Sequence, residues 1–166
     1  MPQRTLLLMR HAKSDWSNHG LPDHDRPLNQ RGIRASKLIG KHLEQFWPKI
    51  NVVLASTAVR VQQTLELMQE EWNELAPTII HSECLYLAAP STILRQISLL
   101  DSHVVAALVI AHNPGLESLA QKLSRQPIEF PTACLAEFHA KSRSWEEAAD
   151  HDQWKLGKVI RPRDLE

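Results

Sequence analysis

Short apolar runs that alternate with stretches of helical spacing constrain the fold of this chain most strongly. Four such runs are Thr5–Met9, Val52–Ala55, Thr78–His81 and Val104–Ile110. Their length suits strands buried in a sheet rather than helices. The alternation of strand and helix predicts an α/β fold, in which a mostly parallel sheet carries helices on both faces.

Between the apolar runs, hydrophobic residues recur every three or four positions, as on one face of a helix. Two helices are predicted from the residues that share such a face: Ala35, Leu38, Ile39, Leu43 and Phe46, then Val61, Leu65, Met68 and Trp72. Two shorter helices are predicted in the same way: Ile93, Ile97 and Leu100, then Leu116, Leu119, Ala120 and Leu123. Ala133–Ala140 and Trp154–Ile160 indicate two late strands.

Length and charge limit the kinds of protein that this chain can be. Its 166 residues suit a single domain over 1–166, long enough to bury a core without disulfides or metals. The formal net charge of +0 argues against broad binding to nucleic acid or to anionic membranes, so any anion site must be local. Two cysteines and no apolar run of membrane-spanning length lead us to expect a cytoplasmic protein with reduced thiols.

Charged and ionisable side chains follow the predicted strands at the positions where each strand ends. Arg10 and His11 follow the first strand, Arg60 stands soon after the second, Glu83 after the third and His112 after the fourth. Because sites in parallel sheets form beyond the carboxyl ends of the strands, we expect these side chains to meet.

This set of residue types suits phosphoryl transfer to a histidine. The planar guanidinium groups of Arg10 and Arg60 can each hold two phosphoryl oxygens. A neutral imidazole can attack phosphorus and form a covalent intermediate, and a second, cationic imidazole would stabilise the transferring oxygens. The two histidines would then need opposite protonation states. A carboxylic acid such as Glu83 would protonate the leaving group and later deprotonate water.

Ordinary structural roles are expected for the other histidines. His81 lies within a predicted strand, so we expect it to pack or to make a structural hydrogen bond. The rest are expected on the surface or in structural contacts: His19, His24, His42, His103, His139 and His151. Glu83 is also compatible with an ordinary exposed carboxylate.

Other phosphate chemistries fit the sequence less well. The chain has 5 glycines and no glycine-rich phosphate loop, and no arginine stands six positions after either cysteine. Asp23 and Asp25 follow a loop rather than an apolar strand, which argues against an aspartate nucleophile. A metal site built from His11, His112 and Glu83 is disfavoured because two arginines in the same pocket would repel a divalent cation.

Three segments in order carry a resemblance to a known family. Arg10-His11-Ala12, Ser56–Thr64 with its Arg60, and Ala111–Gly115 together resemble the histidine phosphatase superfamily, with its phosphoglycerate mutase-like fold. The small bacterial branch typified by phosphohistidine phosphatases is the more similar one. Members of that branch often show Arg-His-Ala-Lys-Ser and Asp-x-Asp-Arg-Pro-Leu-x-x-Arg-Gly, as this chain does from Arg10 and from Asp23.

The resemblance implies a role for each matching residue. His11 would be the nucleophile that becomes phosphorylated, Arg10, Arg60 and His112 would form the phosphate pocket, and Glu83 falls near the position of the proton donor. It also implies a three-layer arrangement around a six-stranded, mainly parallel sheet, with no metal and no organic cofactor. A phosphorylated protein or a small phosphate ester would be the substrate.

The chain departs from the commonest family pattern at several positions. Ala12, Lys13 and Ser14 replace Gly-Glu-Thr, and Ser17 replaces the Asn that follows Trp16 and contacts phosphate in relatives, which makes Ser17 a candidate substrate-binding residue. The large insertions with which mutases enclose sugar phosphates have no room in 166 residues, so we expect an open site.

The expected function is therefore a phosphatase that acts through phospho-His11, with protein phosphohistidine as the leading substrate. Small phosphate esters, phosphoserine or phosphotyrosine proteins, and a non-catalytic phosphate-binding module remain alternatives. Asp15 and Asp25 are alternatives to Glu83 as proton donor, and replacing Glu83 with Gln is expected to slow ester turnover more than phosphohistidine turnover. Trp16 either caps the core beside the site or is exposed in a regulatory surface.

Overall fold

A six-stranded sheet forms the centre of the computed structural model, which describes residues 1–47, 49–150 and 152–166. The strands are β1 (Gln3–Arg10), β2 (Val52–Ser56), β3 (Thr78–Ser82), β4 (Ala106–Ala111), β5 (Leu135–Lys141) and β6 (Lys155–Ile160). The helices are α1 (Gln30–Phe46), α2 (Val59–Gln69), α3 (Pro90–Ser98), α4 (Gly115–Ser124) and α5 (Trp145–Ala149).

The sheet has the order β3-β2-β4-β1-β5-β6. The pairs of β1 with β4, β4 with β2 and β2 with β3 are parallel, whereas β5 and β6 join as antiparallel strands. The predicted mostly parallel α/β sheet is thus confirmed. The carboxyl ends of β1, β2 and β4 meet at one edge because these three strands are adjacent and run in the same direction.

Helices cover both faces of the sheet and bury a core on each side. Along β1, Leu6 and Leu8 pack into the core beneath α3, α4 and α5, whereas Leu7 and Met9 pack into the core beneath α1 and α2. All four side chains are fully buried. A strand that is buried on both faces is apolar along its whole length rather than alternating, which explains the continuous run in the sequence.

Several details differ from the predicted elements. Phe46 closes α1 but is half exposed, and Trp72 and Leu100 lie beyond the ends of their helices rather than within them. The short α5 was not predicted because five residues are too few to show a helical period. Its Trp145 is nevertheless fully buried, and the indole N–H donates to the Val104 carbonyl at 2.8 Å.

His81 lies on β3, an edge strand that pairs only with β2 within the described sheet. The side chain is exposed, so the prediction that His81 packs into the structure is wrong. An edge strand has one side open to solvent, and a strand-like pattern alone does not distinguish it from a central strand. His151, which was predicted to have an ordinary structural or surface role, lies outside the described residues.

The two cysteines are both free thiols, with Cys84 exposed and Cys134 buried. Burial raises the pKa of the Cys134 thiol to about 11, so this side chain is protonated at neutral pH. Within the described ranges, no helix is both long enough and apolar enough to cross a membrane.

The segment after β1 is held in place by the start of α1. The Lys13 carbonyl accepts a hydrogen bond from the Asn29 amide at 3.0 Å, and Ser14 forms an isolated antiparallel bridge with Leu28. The Asn29 side chain caps α1 by accepting from the Gly32 amide at 2.8 Å. A Cβ atom on Gly32 would collide with the Lys13 carbonyl, so a glycine is required here by close backbone approach.

We expect Gly32→Ala to lower the free energy of unfolding by up to about 2 kcal/mol. Shifting the Lys13 backbone to make room costs about 1–3 kcal/mol, which outweighs the gain of about 1 kcal/mol that alanine brings to a helix. Urea unfolding followed by circular dichroism measures the difference. Gly20→Ala is the matched control, since its added Cβ would lie 3.4 Å from the nearest atom, and a similar loss in both variants would contradict the explanation.

Candidate active site

A pocket of about 260 Å³ lies at the edge where β1, β2 and β4 end. Four residues predicted from the strand ends line it together: Arg10, His11, Arg60 and His112. Arg10 closes β1 and His11 follows it, Arg60 lies in the first turn of α2 and His112 follows β4. The side chains of His11, Arg60 and His112 are buried, and Arg10 is partly buried.

His11 has one protonated ring nitrogen and one unprotonated ring nitrogen, and the unprotonated one carries a lone pair. Its Nδ1 lies 2.7 Å from the Ala12 carbonyl oxygen and must carry the proton, because a carbonyl can only accept. The Nε2 atom accepts a hydrogen bond from Arg60 Nε at 3.3 Å. Burial lowers the pKa of His11 to about 4, and the nearby Arg60 and Arg10 charges contribute, so the ring is neutral at pH 7.

His112 is fixed in the opposite tautomer. Its Nδ1 lies 3.3 Å from Nη2 of Arg60, which can only donate, so Nδ1 accepts. Its Nε2 therefore carries the proton and donates to Ser56 Oγ at 2.7 Å. Burial lowers the pKa of His112 to about 3, and the neighbouring His11 and Arg60 add to this effect.

Both histidines are thus neutral, which differs from the opposite protonation states expected from the sequence. The physical reason is that both rings are removed from water beside the same guanidinium group, so a proton on either ring would be a buried charge next to Arg60. A cationic His112 would require a further anion close to it, in addition to the Asp23 carboxylate.

Arg60 connects the pocket residues to one another. In addition to its contacts with the two imidazoles, it donates to the Asp23 carbonyl at 2.7 Å and to the Asp23 carboxylate at 3.0 Å. The Tyr86 hydroxyl donates to the same carboxylate. This hydrogen bond, together with Arg60, holds the pKa of Asp23 below its usual range, so the carboxylate is ionised at neutral pH.

Asp23 and Arg26 line the pocket although the sequence analysis gave them no role there. The Arg26 side chain is buried, and its guanidinium contacts Asp23 Oδ1 at 3.2 Å and the Ser14 hydroxyl. It also lies over the Trp16 ring, 3.2 Å from the ring centroid. The Asp-x-Asp-Arg-Pro run from Asp23, which carried part of the family resemblance, was the available signal.

Trp16 lies on the rim of the pocket and is 65% exposed. The interpretation that Trp16 caps the core is therefore wrong, and the alternative that it is exposed is correct. The side chain is placed outside because Arg26 occupies the space beneath it.

The other proposed site residues are not brought into the pocket. Glu83 is exposed in a turn after β3, and Ser17 is exposed with its amide donating to Asp15 Oδ1 at 2.8 Å. That hydrogen bond lowers the pKa of Asp15, which makes it a poorer proton donor at neutral pH. Among the described residues that line the pocket, Asp23 is present, whereas Glu83, Ser17, Asp15 and Asp25 are not.

Two polar residues of α2 fix the loops that carry the site. Thr64 Oγ1 accepts from the Ala12 amide at 3.1 Å and donates to the Arg60 carbonyl at 2.7 Å. Gln63 accepts from the Leu28 amide at 2.8 Å. The Gln-Thr pair therefore holds the turn after β1 against the helix that supplies Arg60.

The polar groups that converge on the pocket suit an anion. Arg10 donates through Nη1 to the Phe130 carbonyl at 3.3 Å, while its buried Nε atom has no hydrogen-bond partner among the described residues. A group with several acceptor oxygens would satisfy such donors. The described residues contain no cluster of three or more His, Cys, Asp or Glu placed to hold a metal ion.

Known proteins with similar sequences and structures define the family. The model of the histidine phosphatase superfamily (branch 1) matches residues 6–85. An uncharacterized protein of Mycobacterium tuberculosis is 42% identical over 68% of this chain and 67% of its own length. Another from Mycobacterium leprae is 34% identical over 81% of this chain and 89% of its own length.

Comparison with solved structures shows which known proteins have a similar fold. A candidate phosphohistidine phosphatase, SixA, from Nakamurella multipartitia superimposes with a TM-score of 0.85 and 26% identity, covering 98% of each chain. A phosphoglycerate mutase from Plasmodium falciparum shares the fold, with a TM-score of 0.65 over 95% of this chain and 91% of its own, at 13% identity.

The chain belongs to the histidine phosphatase superfamily and has the phosphoglycerate mutase-like fold. The predicted family, fold and enzyme class, a histidine-dependent phosphatase, are confirmed.

We expect the free energy of unfolding to fall as the pH is lowered from about 6.5 towards 4, because the unfolded chain protonates both pocket histidines while the folded protein does not. The slope contributed by each ring approaches about 1.4 kcal/mol per pH unit. Urea unfolding at several pH values measures how the free energy of unfolding depends on pH. His112→Gln should flatten the profile, whereas His19→Gln, on an exposed loop, should not, and equal profiles for all three proteins would contradict the assignment.

Proposed function

We propose that this protein removes phosphoryl groups from phosphohistidine residues of other proteins through a phosphorylated His11 intermediate. The observation that carries this proposal is the combination of a neutral His11, whose Nδ1 carries the proton and whose Nε2 has the lone pair, with a pocket whose lining carboxylate, Asp23, is ionised. The likeness of the whole chain to the candidate phosphohistidine phosphatase from Nakamurella multipartitia supports the choice of substrate.

In the first step, the guanidinium groups of Arg10 and Arg60 bind the phosphoryl oxygens. The hydrogen bond from Arg60 Nε to His11 Nε2 breaks as that guanidinium turns to the phosphoryl oxygens. The freed lone pair of Nε2 then attacks phosphorus, and a bond from phosphorus to His11 forms while the bond to the substrate imidazole breaks. The substrate imidazole leaves with the electron pair of that bond and takes a proton from solvent. The Ala12 carbonyl stabilises the positive charge that develops on the His11 ring, since it accepts the Nδ1 proton.

His112 changes its state when the phosphoryl group is bound. Its Nδ1 atom faces Arg60 and the pocket, and a dianionic group nearby would raise its pKa by direct attraction. When Arg60 Nη2 turns from Nδ1 to the phosphoryl oxygens, Nδ1 can take up a proton from solvent and add positive charge where the transferring oxygens need it. The expected cationic role of His112 is thereby linked to substrate binding.

In the second step, water attacks phosphorus and the bond to His11 Nε2 breaks. The water proton is transferred to the phosphate that forms, and His11 regains its neutral ring. Phosphoryl transfer passes through a loose transition state, so little help from a base is needed and binding of the charge matters most.

The ionised state of Asp23 favours phosphohistidine over alkyl phosphate esters. An alkoxide leaving group needs a proton from a neutral acid, and a carboxyl group whose pKa is below its usual range holds no proton at pH 7. An imidazole leaves more readily because its ring nitrogen is protonated with a pKa of about 6.5. Asp23 instead orients Arg60 and Arg26 through ion pairs of 3.0 and 3.2 Å.

Phosphate release from a phosphorylated histidine phosphotransfer domain and from an aryl phosphate tests the proposal. We expect turnover of the phosphoprotein by the wild type and loss of at least 10³-fold in His11→Ala, because the nucleophile is removed. Turnover of the aryl phosphate alone would favour a small-ester phosphatase. Binding of phosphate without turnover of either substrate would favour a non-catalytic module.

A pair of carboxylate variants tests the pocket assignment. Asp23→Asn should lower kcat/KM by roughly tenfold or more, because a charged hydrogen bond to Arg60 is worth about 1.5–3 kcal/mol. Glu83→Gln should stay within about twofold of wild type on both substrates, since Glu83 is exposed outside the pocket. This small effect replaces the sequence-based expectation that Glu83→Gln slows ester turnover selectively. A larger loss of kcat/KM in Glu83→Gln than in Asp23→Asn would contradict the pocket assignment.

A further inference from the structure

We propose that a basic groove beside the pocket binds an acidic segment of the phosphorylated protein substrate. The inference rests on the proposed function, because it assigns the groove to the same substrate. The groove has a volume of about 440 Å³. Five cationic side chains line it, together with the carboxylates of Glu129 and Glu166: Lys13, Arg31, Arg34, Arg161 and Arg163.

The groove is continuous with the pocket. Lys13 and Thr132 line both, so they form the boundary between them. Lys13 stands two residues after His11, and its backbone is fixed by the start of α1. A protein whose phosphoryl group reaches His11 can therefore place a neighbouring segment of its chain over the groove.

The five cations of the groove outnumber its two side-chain carboxylates, so the protein neutralises its positive charge only in part. Within the described residues, none of the five cations lies within 4.0 Å of a carboxylate, whereas Lys37 and Arg125 elsewhere pair with Glu70 and Asp152 at 3.6 and 3.7 Å. Because the chain as a whole has a net charge of +0, this excess is a local feature. Uncompensated like charges repel, and an acidic partner would relieve that repulsion.

The arrangement fits carboxylates on an extended segment better than a single small anion. The cations come from separate parts of the chain: the turn after β1, the first turns of α1 and the segment 161–163. Lys13, Arg31, Arg34 and Arg163 are exposed, and guanidinium groups bind carboxylates with two parallel hydrogen bonds. Charges at the rim of an interface mainly accelerate association and select the partner, so the groove would act on substrate preference.

Two phosphohistidine peptides test the inference, one with Asp and Glu flanking the phosphorylated residue and one with Asn and Gln in their place. For the wild type at low salt, we expect kcat/KM to be about tenfold or more higher for the acidic peptide, with the preference falling as salt rises. In the double variant Arg34→Glu, Arg163→Glu, the ratio between the two peptides should fall to one or below.

Arg95→Glu with Lys122→Glu is the matched control, because it changes the charge equally on α3 and α4, across the sheet from α1. This variant should keep the wild-type ratio. Equal kcat/KM for both peptides in the wild type would overturn the groove assignment while leaving the phosphatase proposal intact.

Binding of the same peptides to His11→Ala, measured by fluorescence anisotropy, separates the two proposals. If neither peptide is hydrolysed by the wild type but the acidic one still binds more tightly, and the groove variant loses that preference, the phosphatase proposal fails and the groove inference stands. Equal binding of the two peptides to His11→Ala would overturn the groove inference. A single-stranded oligonucleotide that binds more tightly than the acidic peptide, and loses affinity in the groove variant, would also overturn it, in favour of a nucleic-acid surface.

Discussion

The whole site depends on the hydrogen bonds that the Arg60 guanidinium group makes. This group reaches His11, His112 and Asp23 at once, so three segments far apart in the sequence are held in one geometry by a single side chain. Burial is the main cause of the low pKa of both rings, and the charge of Arg60 adds to it. One residue therefore fixes the positions of the groups around it and helps to keep them neutral, so an incoming phosphoryl group would meet a site that is already ordered.

The parallel strands explain why such a site can be built at all. β1, β2 and β4 are neighbours, and the residues that follow them are carried to the same edge without any special loop. The antiparallel strands β5 and β6 extend the sheet on the other side and cover the core. The fold thus supplies the approximate position, and short contacts such as Thr64 with the Ala12 amide supply the final geometry.

Much of the fold could be predicted from the sequence because burial on both faces produces apolar runs that are easily recognised. Arg10, His11 and His112 were found for the same reason, since they directly follow such runs. Asp23 and Arg26 could not be found in this way, because their roles depend on reaching Arg60 and Trp16 across a loop with no periodicity. The protonation of His112 depends on burial, which a sequence does not display.

The position of β1 within the sheet divides the site into two parts of different local stability. His11 follows a strand that is hydrogen-bonded on both sides, by β4 and β5, so its backbone can open only when the centre of the sheet unfolds. Trp16 stands only five residues further on, in an exposed loop with few backbone contacts. We therefore expect the backbone at His11 to be among the most slowly exchanging parts of the molecule, whereas the exposed rim around Trp16 can move without disturbing it.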